Sequence, residues 1–271
     1  MTASLLITFR ETLEATLVIG IILAFLRKEE ADDRFHHSVW GGVFAGITLS
    51  VILAWVFQTF LLEWSEGHEE LVEGILMFLA AALLTWMIIW MSRQGRIRQK
   101  LEQRVGEHHV RGELFGLFAL ALVSVLREGI ETIIFLNAAS SAGHSSLFGG
   151  MLGVILALLI GFLFFAGAHK MDLKLFFRST STLLILFAAG LTAHGVHELQ
   201  EAGLLTFLTT EAWNTNHIVQ ETGVIGSLLK GLFGYNGNPS ILEVFAYGAF
   251  LFMSFFLFLS PPRRVSPPSS L

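Results

Sequence analysis

Two short runs hold most of the chemistry this sequence offers, "RETLE" at 10–14 and "REGIE" at 127–131. Each interrupts a stretch otherwise rich in Leu, Ile, Val and Phe. At about 100° per residue, Glu11 and Glu14 stand roughly 60° apart on a helix and Arg10 about 40° from Glu14, so one face carries all three charges. Arg127, Glu128 and Glu131 repeat the pattern. A charge at mid-membrane costs about 2.5–3.5 kcal/mol on insertion scales. Such faces must therefore meet protein or water rather than lipid. A purely structural reading pairs Arg10 with Glu14 and Arg127 with Glu131 at i,i+4, which leaves Glu11 and Glu128 unpaired. Four carboxylates against two guanidiniums leave a formal charge of −2 when all are ionised. Carboxylate oxygens with that residual charge suit a hard, highly charged cation better than an organic solute. Glu11, Glu14, Glu128 and Glu131 are the candidate metal ligands, with Arg10 and Arg127 holding them ionised and oriented.

Weaker candidates lie elsewhere. In "AHGVHELQEAG", His194, His197, Glu198 and Glu201 fall at i, i+3, i+4 and i+7, a single helix stripe with metal-ligand spacing. In "EWSEGHEELVEG", Glu66, Glu69, Glu70 and Glu73 form an acidic run that captures cations or simply keeps a loop soluble. Met77, Met87 and Met91 read as packing. The chain has no cysteine, which removes disulfides and thiolate metal sites.

The elements that carry these residues must be membrane helices. The chain is 54% hydrophobic and 14% charged, with a mean hydropathy of +0.66. The net charge of −5 and the lack of any basic, aromatic-interleaved run set nucleic acid aside. With about 20 apolar residues needed per crossing, seven stretches qualify: roughly 4–26, 39–61, 73–92, 114–138, 147–168, 180–198 and 241–260. With the N-terminus outside, the inner segments hold 14 of the 17 Lys and Arg residues, so an outside N-terminus and a cytoplasmic C-terminus are expected.

Setting Arg10 against Arg127 aligns more than the motifs. "SVWGGVFAGI" (38–47) matches "SLFGGMLGVI" (146–155), and "FLAAALLT" (78–85) matches "ILFAAGLT" (185–192). Three spans per copy is an odd number, so the second copy enters the membrane from the opposite side. The expected fold is an all-α polytopic membrane protein with seven transmembrane helices, an inverted 3+3 repeat plus one C-terminal helix. It forms a single membrane domain: repeat 1 over about 1–92, repeat 2 over about 113–198, an outer loop 199–240, a seventh helix 241–260 and a cytoplasmic tail 261–271.

Paired Arg-Glu-x-x-Glu motifs in spans 1 and 4 of seven, with "AAGLTAHGVHELQEAG" (188–203) and "GYNGNPSILEVFAYG" (234–248), resemble the oxidase-dependent iron permease family. That family comprises the high-affinity iron permeases of fungi and the EfeU-type permeases of bacteria. The chain departs from its motif at Thr12, Leu13 and Ile130 but keeps every charged position. The resemblance implies iron as the transported substrate, a place in the bacterial inner membrane, an extracytoplasmic iron-oxidising or iron-delivering partner, and no bound organic cofactor. By ligand type alone, transport of another metal such as lead or a divalent first-row ion stays open. So does a metal-sensing membrane subunit that transports nothing.

Overall fold

Long runs of Leu, Ile, Phe and Ala satisfy their backbone polar groups internally as helix, the form an apolar solvent demands. Pro239 is the one proline before residue 261, so no helix interior is interrupted. The computed structural model describes residues 2–65, 67–93, 103–107, 113–143, 146–165, 173–221 and 223–259. Among the described residues there are nine helices: α1 (Thr2–Lys28), α2 (Asp33–Ser65), α3 (Glu69–Arg93), α4 (103–107), α5 (Leu114–Ser141), α6 (Leu147–Phe165), α7 (Leu173–Glu201), α8 (Val224–Phe233) and α9 (Ile241–Leu259). Glu66 and the tail 261–271 lie outside the described residues.

Four helical segments are long and apolar enough to cross a membrane by length and composition: 33–61, 69–89, 147–165 and 180–201. A shorter apolar helix covers 241–256. The 27 residues of α1 and 28 of α5 are long enough, but each carries three charged groups, those of its motif, within its apolar run. The 199–240 connection, expected as a loop, contains α8, which ends at Gly234 in the left-handed conformation that favours glycine.

Small residues fix how the helices pair. Parallel α1 and α6 are joined by Thr8 Oγ1 donating to the Gly150 carbonyl at 2.9 Å and by the Ser146 N–H donating to Ser4 Oγ at 2.9 Å. A Cβ built on Gly153 would lie 2.5 Å from the Leu5 carbonyl oxygen, so only glycine permits this approach. The parallel pair α2 and α5 repeats the device, with Gly42 against the Phe118 carbonyl and Gly46 against Leu122 and Val125. Antiparallel α3 and α7 meet where Gly74 faces Gly195, and α9 packs on α7. These pairings leave α1 and α5 against each other at the centre.

Candidate functional site

Both charged motifs face the α1–α5 contact, as their one-sided spacing requires. Arg10 and Glu11 are each 1% exposed, and Glu14 and Glu128 are also buried. Arg10 reaches Glu11 Oε1 at 3.2 Å through Nη1 and Glu14 Oε1 at 2.9 Å through Nη2. Its Nη1 also donates to Met87 Sδ of α3 at 3.4 Å. On α5, Arg127 Nε donates to Glu131 Oε1 at 2.8 Å and stands 3.9 Å from Glu128 Oε1. The two i,i+4 pairs expected from spacing are present. Glu11, expected to be unpaired, is instead clasped by Arg10, because the guanidinium fork offers donors to two carboxylates at once.

Across the interface, Glu11, Glu128 and Glu131 each bring one carboxylate oxygen into a group whose members all lie within 4.8 Å of one another. This is the one such group of three among the described residues. Glu11 Oε2, Glu128 Oε2 and Glu131 Oε2 are buried with no hydrogen-bond partner. Buried polar atoms are normally satisfied, and an orphaned carboxylate oxygen is among the more expensive exceptions. Oxygens bound to one cation at about 2.1 Å stand no more than about 4.2 Å apart, so a small contraction brings all three onto a common ion. Glu14 stays outside the group, held by Arg10.

The secondary candidates are arranged differently. The His194 and His197 rings stack with centroids 5.6 Å apart. His197 reaches Glu201 Oε1 at 3.3 Å through Nε2 and Glu243 Oε1 at 3.1 Å through Nδ1, while His194 Nε2 stands 3.9 Å from Glu198 Oε1. The stripe is therefore a chain of pairs rather than a convergent ligand set. Glu69 and Glu70 are exposed at the start of α3, and Glu73 is half-buried.

Glu243 was not singled out from sequence. It is 2% exposed and accepts from the Ser240 N–H at 3.1 Å and from Asn236 Nδ2 at 2.8 Å, while its own N–H donates to Ser240 Oγ at 3.2 Å. This is a capping box at the start of α9, and "SILE" is its sequence signal.

Residues 1–265 match the family described as Iron permease FTR1. A ferrous iron permease EfeU of Yersinia pestis is 31% identical over 266 residues, covering 96% of this chain and 94% of that one. The Escherichia coli O157:H7 protein of the same description is 33% identical over 263 residues, 95% of each chain. No solved structure matches the chain.

Proposed function

The chain belongs to the FTR1 iron permease family, a multi-pass membrane transporter rather than an enzyme, and from this we propose that iron crosses between α1 and α5 on their carboxylates. Glu11, Glu128 and Glu131 are the ligands, Glu14 is the next carboxylate along the α1 face, and Arg10 and Arg127 hold the set in place. The observation that carries this reading is the group of three carboxylates drawn from both motifs, two buried and one half-buried, each with a buried oxygen lacking a hydrogen-bond partner. Protein stability alone does not favour such an arrangement; a cation does.

The proposed frame is seven crossings by α1, α2, α3, α5, α6, α7 and α9, with 1–92 and 113–198 as inverted copies and 199–240 outside. Its support is that exchanging the copies turns the α1–α6 pair into the α5–α2 pair, and both pairs are parallel and built on glycine contacts. The distribution of basic residues supports an outside N-terminus in a bacterial inner membrane. The end where α1 begins is then extracytoplasmic. There, His194, His197, Glu198 and Glu201, with Glu69, Glu70 and Glu73, give a surface that draws cations inward.

Hard oxygen donors favour the ferric ion, supplied by an oxidising or iron-delivering partner outside. The relatives are described as ferrous iron permeases, which favours ferrous delivery. Uptake of radiolabelled iron in bacteria lacking their own high-affinity system tests both. Expression should restore uptake, Glu11→Ala or Glu128→Ala should abolish it while the protein still inserts, and parallel assays with ferric citrate and ascorbate-reduced iron identify the species. Wild-type uptake by both variants refutes the central site, and iron uptake no greater than that of lead or another first-row metal refutes iron selectivity.

A further inference from the structure

Besides the carboxylates, the apolar helices carry a second set of oxygen atoms, and these are uncharged. Thr8, Ser50, Thr132 and Asn137 line a groove of about 800 Å³ between the α1–α6 pair and the α2–α5 pair. Each of the four helices contributes from the half nearer the end where α1 begins: 4–8 of α1, 50–58 of α2, 129–140 of α5 and 147–155 of α6. Val51, Leu147, Met151 and Ile155 form an apolar rim that is exposed outward, whereas Thr8 is buried and Ser50, Thr132 and Asn137 are half-buried. Polar side chains at membrane depth face a protein interior or a water-filled cavity, and here they form the floor.

Hydrogen bonding gives that floor a sign. Thr8 Oγ1 donates to the Ser4 carbonyl at 2.8 Å, Ser50 Oγ to that of Gly46 at 2.8 Å and Thr132 Oγ1 to that of Glu128 at 2.7 Å. Asn137 Nδ2 donates to the Ile133 carbonyl at 2.8 Å, which leaves Oδ1 to accept. With each hydroxyl hydrogen committed to its own helix, the side chains offer the groove oxygen lone pairs. Lone pairs receive a cation or the hydrogens of its bound water. The groove runs along α5 from Ser140 to Gly129, about 16 Å at 1.5 Å per residue, and ends beside Glu128. Thr132 stands one turn from Glu128, and Thr8 three residues from Glu11. Among the described residues, the outer surface around His194 offers no comparable opening. The pocket beneath it, lined by His194 and Lys230, has about 10 Å³, room for one water. Below that pocket, Ala142, Phe187 and Leu191 belong to the sealed cluster that includes Ala138, Phe135 and Ile7. A cation with six waters at about 30 Å³ each needs roughly 180 Å³, which the groove holds and the pocket does not.

We propose that this groove is the extracytoplasmic entry path, a water-filled vestibule that brings a hydrated cation to within one helical turn of Glu11 and Glu128. The proposal rests on reading those carboxylates as ligands and the N-terminus as outside. Uncharged oxygens hold a hydrated cation only weakly, so it keeps its water and moves along the floor. The first charged ligands it meets are the motif carboxylates, whose attraction offsets the cost of dehydration. Glu11 and Glu128 stay buried at the inner end, so entry finishes with the Glu128 side chain turning past Thr132 toward the ion. The acidic outer surface concentrates cations at this face of the membrane without lying on the path itself.

The chain has no cysteine, so single-cysteine variants test this directly. Membrane vesicles of either orientation are treated with a membrane-impermeant cationic methanethiosulfonate and with its anionic counterpart. Ile218→Cys, 73% exposed in the outer segment, marks the extracytoplasmic side, and Ala138→Cys, fully buried, tests the cluster beneath His194. Asn137→Cys should react from the same side as Ile218→Cys, about tenfold faster with the cation than with the anion, while Ala138→Cys stays unlabelled. A thiol surrounded by hydrocarbon remains protonated and inert, so a groove filled by lipid chains leaves Asn137→Cys unlabelled, and that result overturns the proposal. Labelling from the side opposite to Ile218→Cys overturns it as well. Modified Asn137→Cys should take up iron about tenfold more slowly or worse, with equilibrium iron binding to purified protein held within about threefold; unchanged uptake overturns the path. If Asn137→Cys does not fold, Thr132→Cys carries the same expectations. Thr132→Val should slow uptake and Thr132→Ser, which keeps the hydroxyl, should restore it; equal losses would make Thr132 a packing residue and refute its place on the floor. Glu128→Gln separates the path from the ligand assignment: normal transport by that variant refutes the carboxylate site, while the labelling pattern still reports the groove.

Discussion

Replacing Glu128 with Gln should weaken iron binding without weakening the fold, two effects of opposite sign from one substitution. The three carboxylate oxygens lie within 4.8 Å of one another. At that separation and an effective dielectric of about 20, two unit charges interact by about 3.5 kcal/mol. A ligand oxygen stands closer to its cation, at about 2.1 Å, so removing one carboxylate charge costs more than this per unit of cation charge. After the relieved carboxylate repulsion is counted, affinity should fall by about two orders of magnitude or more. In the metal-free protein the same substitution removes repulsion toward Glu11 and Glu131 and exchanges an orphaned oxygen for a neutral amide. Chelator-buffered binding of radiolabelled iron to purified protein reads the first effect. Intrinsic tryptophan fluorescence during heating reads the second, and Tm should hold or rise. An affinity within about threefold of wild type would sink the argument. So would a Tm lowered by many degrees, since that would make the Glu128 carboxylate a structural partner.

The two arginines should not be equally sensitive to lysine. Arg10 is sealed and spans Glu11, Glu14 and Met87, a fork that one ammonium cannot reproduce, so Arg10→Lys should abolish uptake. Arg127 is partly exposed, 2.8 Å from Glu131 and 3.9 Å from Glu128, so Arg127→Lys should retain much of it; equal losses in the same uptake assay would contradict this. At the start of α9, Ser240→Ala removes one arm of the capping box and should lower stability by about 0.5–2 kcal/mol. Glu243→Ala also removes the His197 and Ser240 acceptor and should lower Tm further, with a double-variant cycle showing the coupling.

Much of this protein is determined locally and can be read along the chain. Apolar runs free of proline give the long helices, and the 3.6-residue period places Arg10, Glu11 and Glu14 on one face and Arg127, Glu128 and Glu131 on another. The correspondence of the two motifs likewise needs only alignment. Tertiary structure decided the rest. That Arg10 clasps Glu11 as well as Glu14, that Met87 backs it, and that Glu14 stands outside the group of three depend on the rotation and axial offset of α1 against α3 and α5. Those offsets are set by contacts between helices, such as the buried cluster that joins Ala3 and Ile7 of α1 to Met77 and Ala80 of α3 and Phe135 of α5, which no period within a single helix encodes. The unequal exposure of Arg10 and Arg127 lies further still from the sequence, because two motifs of the same spacing sit in different packing: Arg10 is sealed against Met87 of α3 and Arg127 is partly exposed. The repeated motif specifies which charges each helix offers; the packing around it decides which of them are sealed.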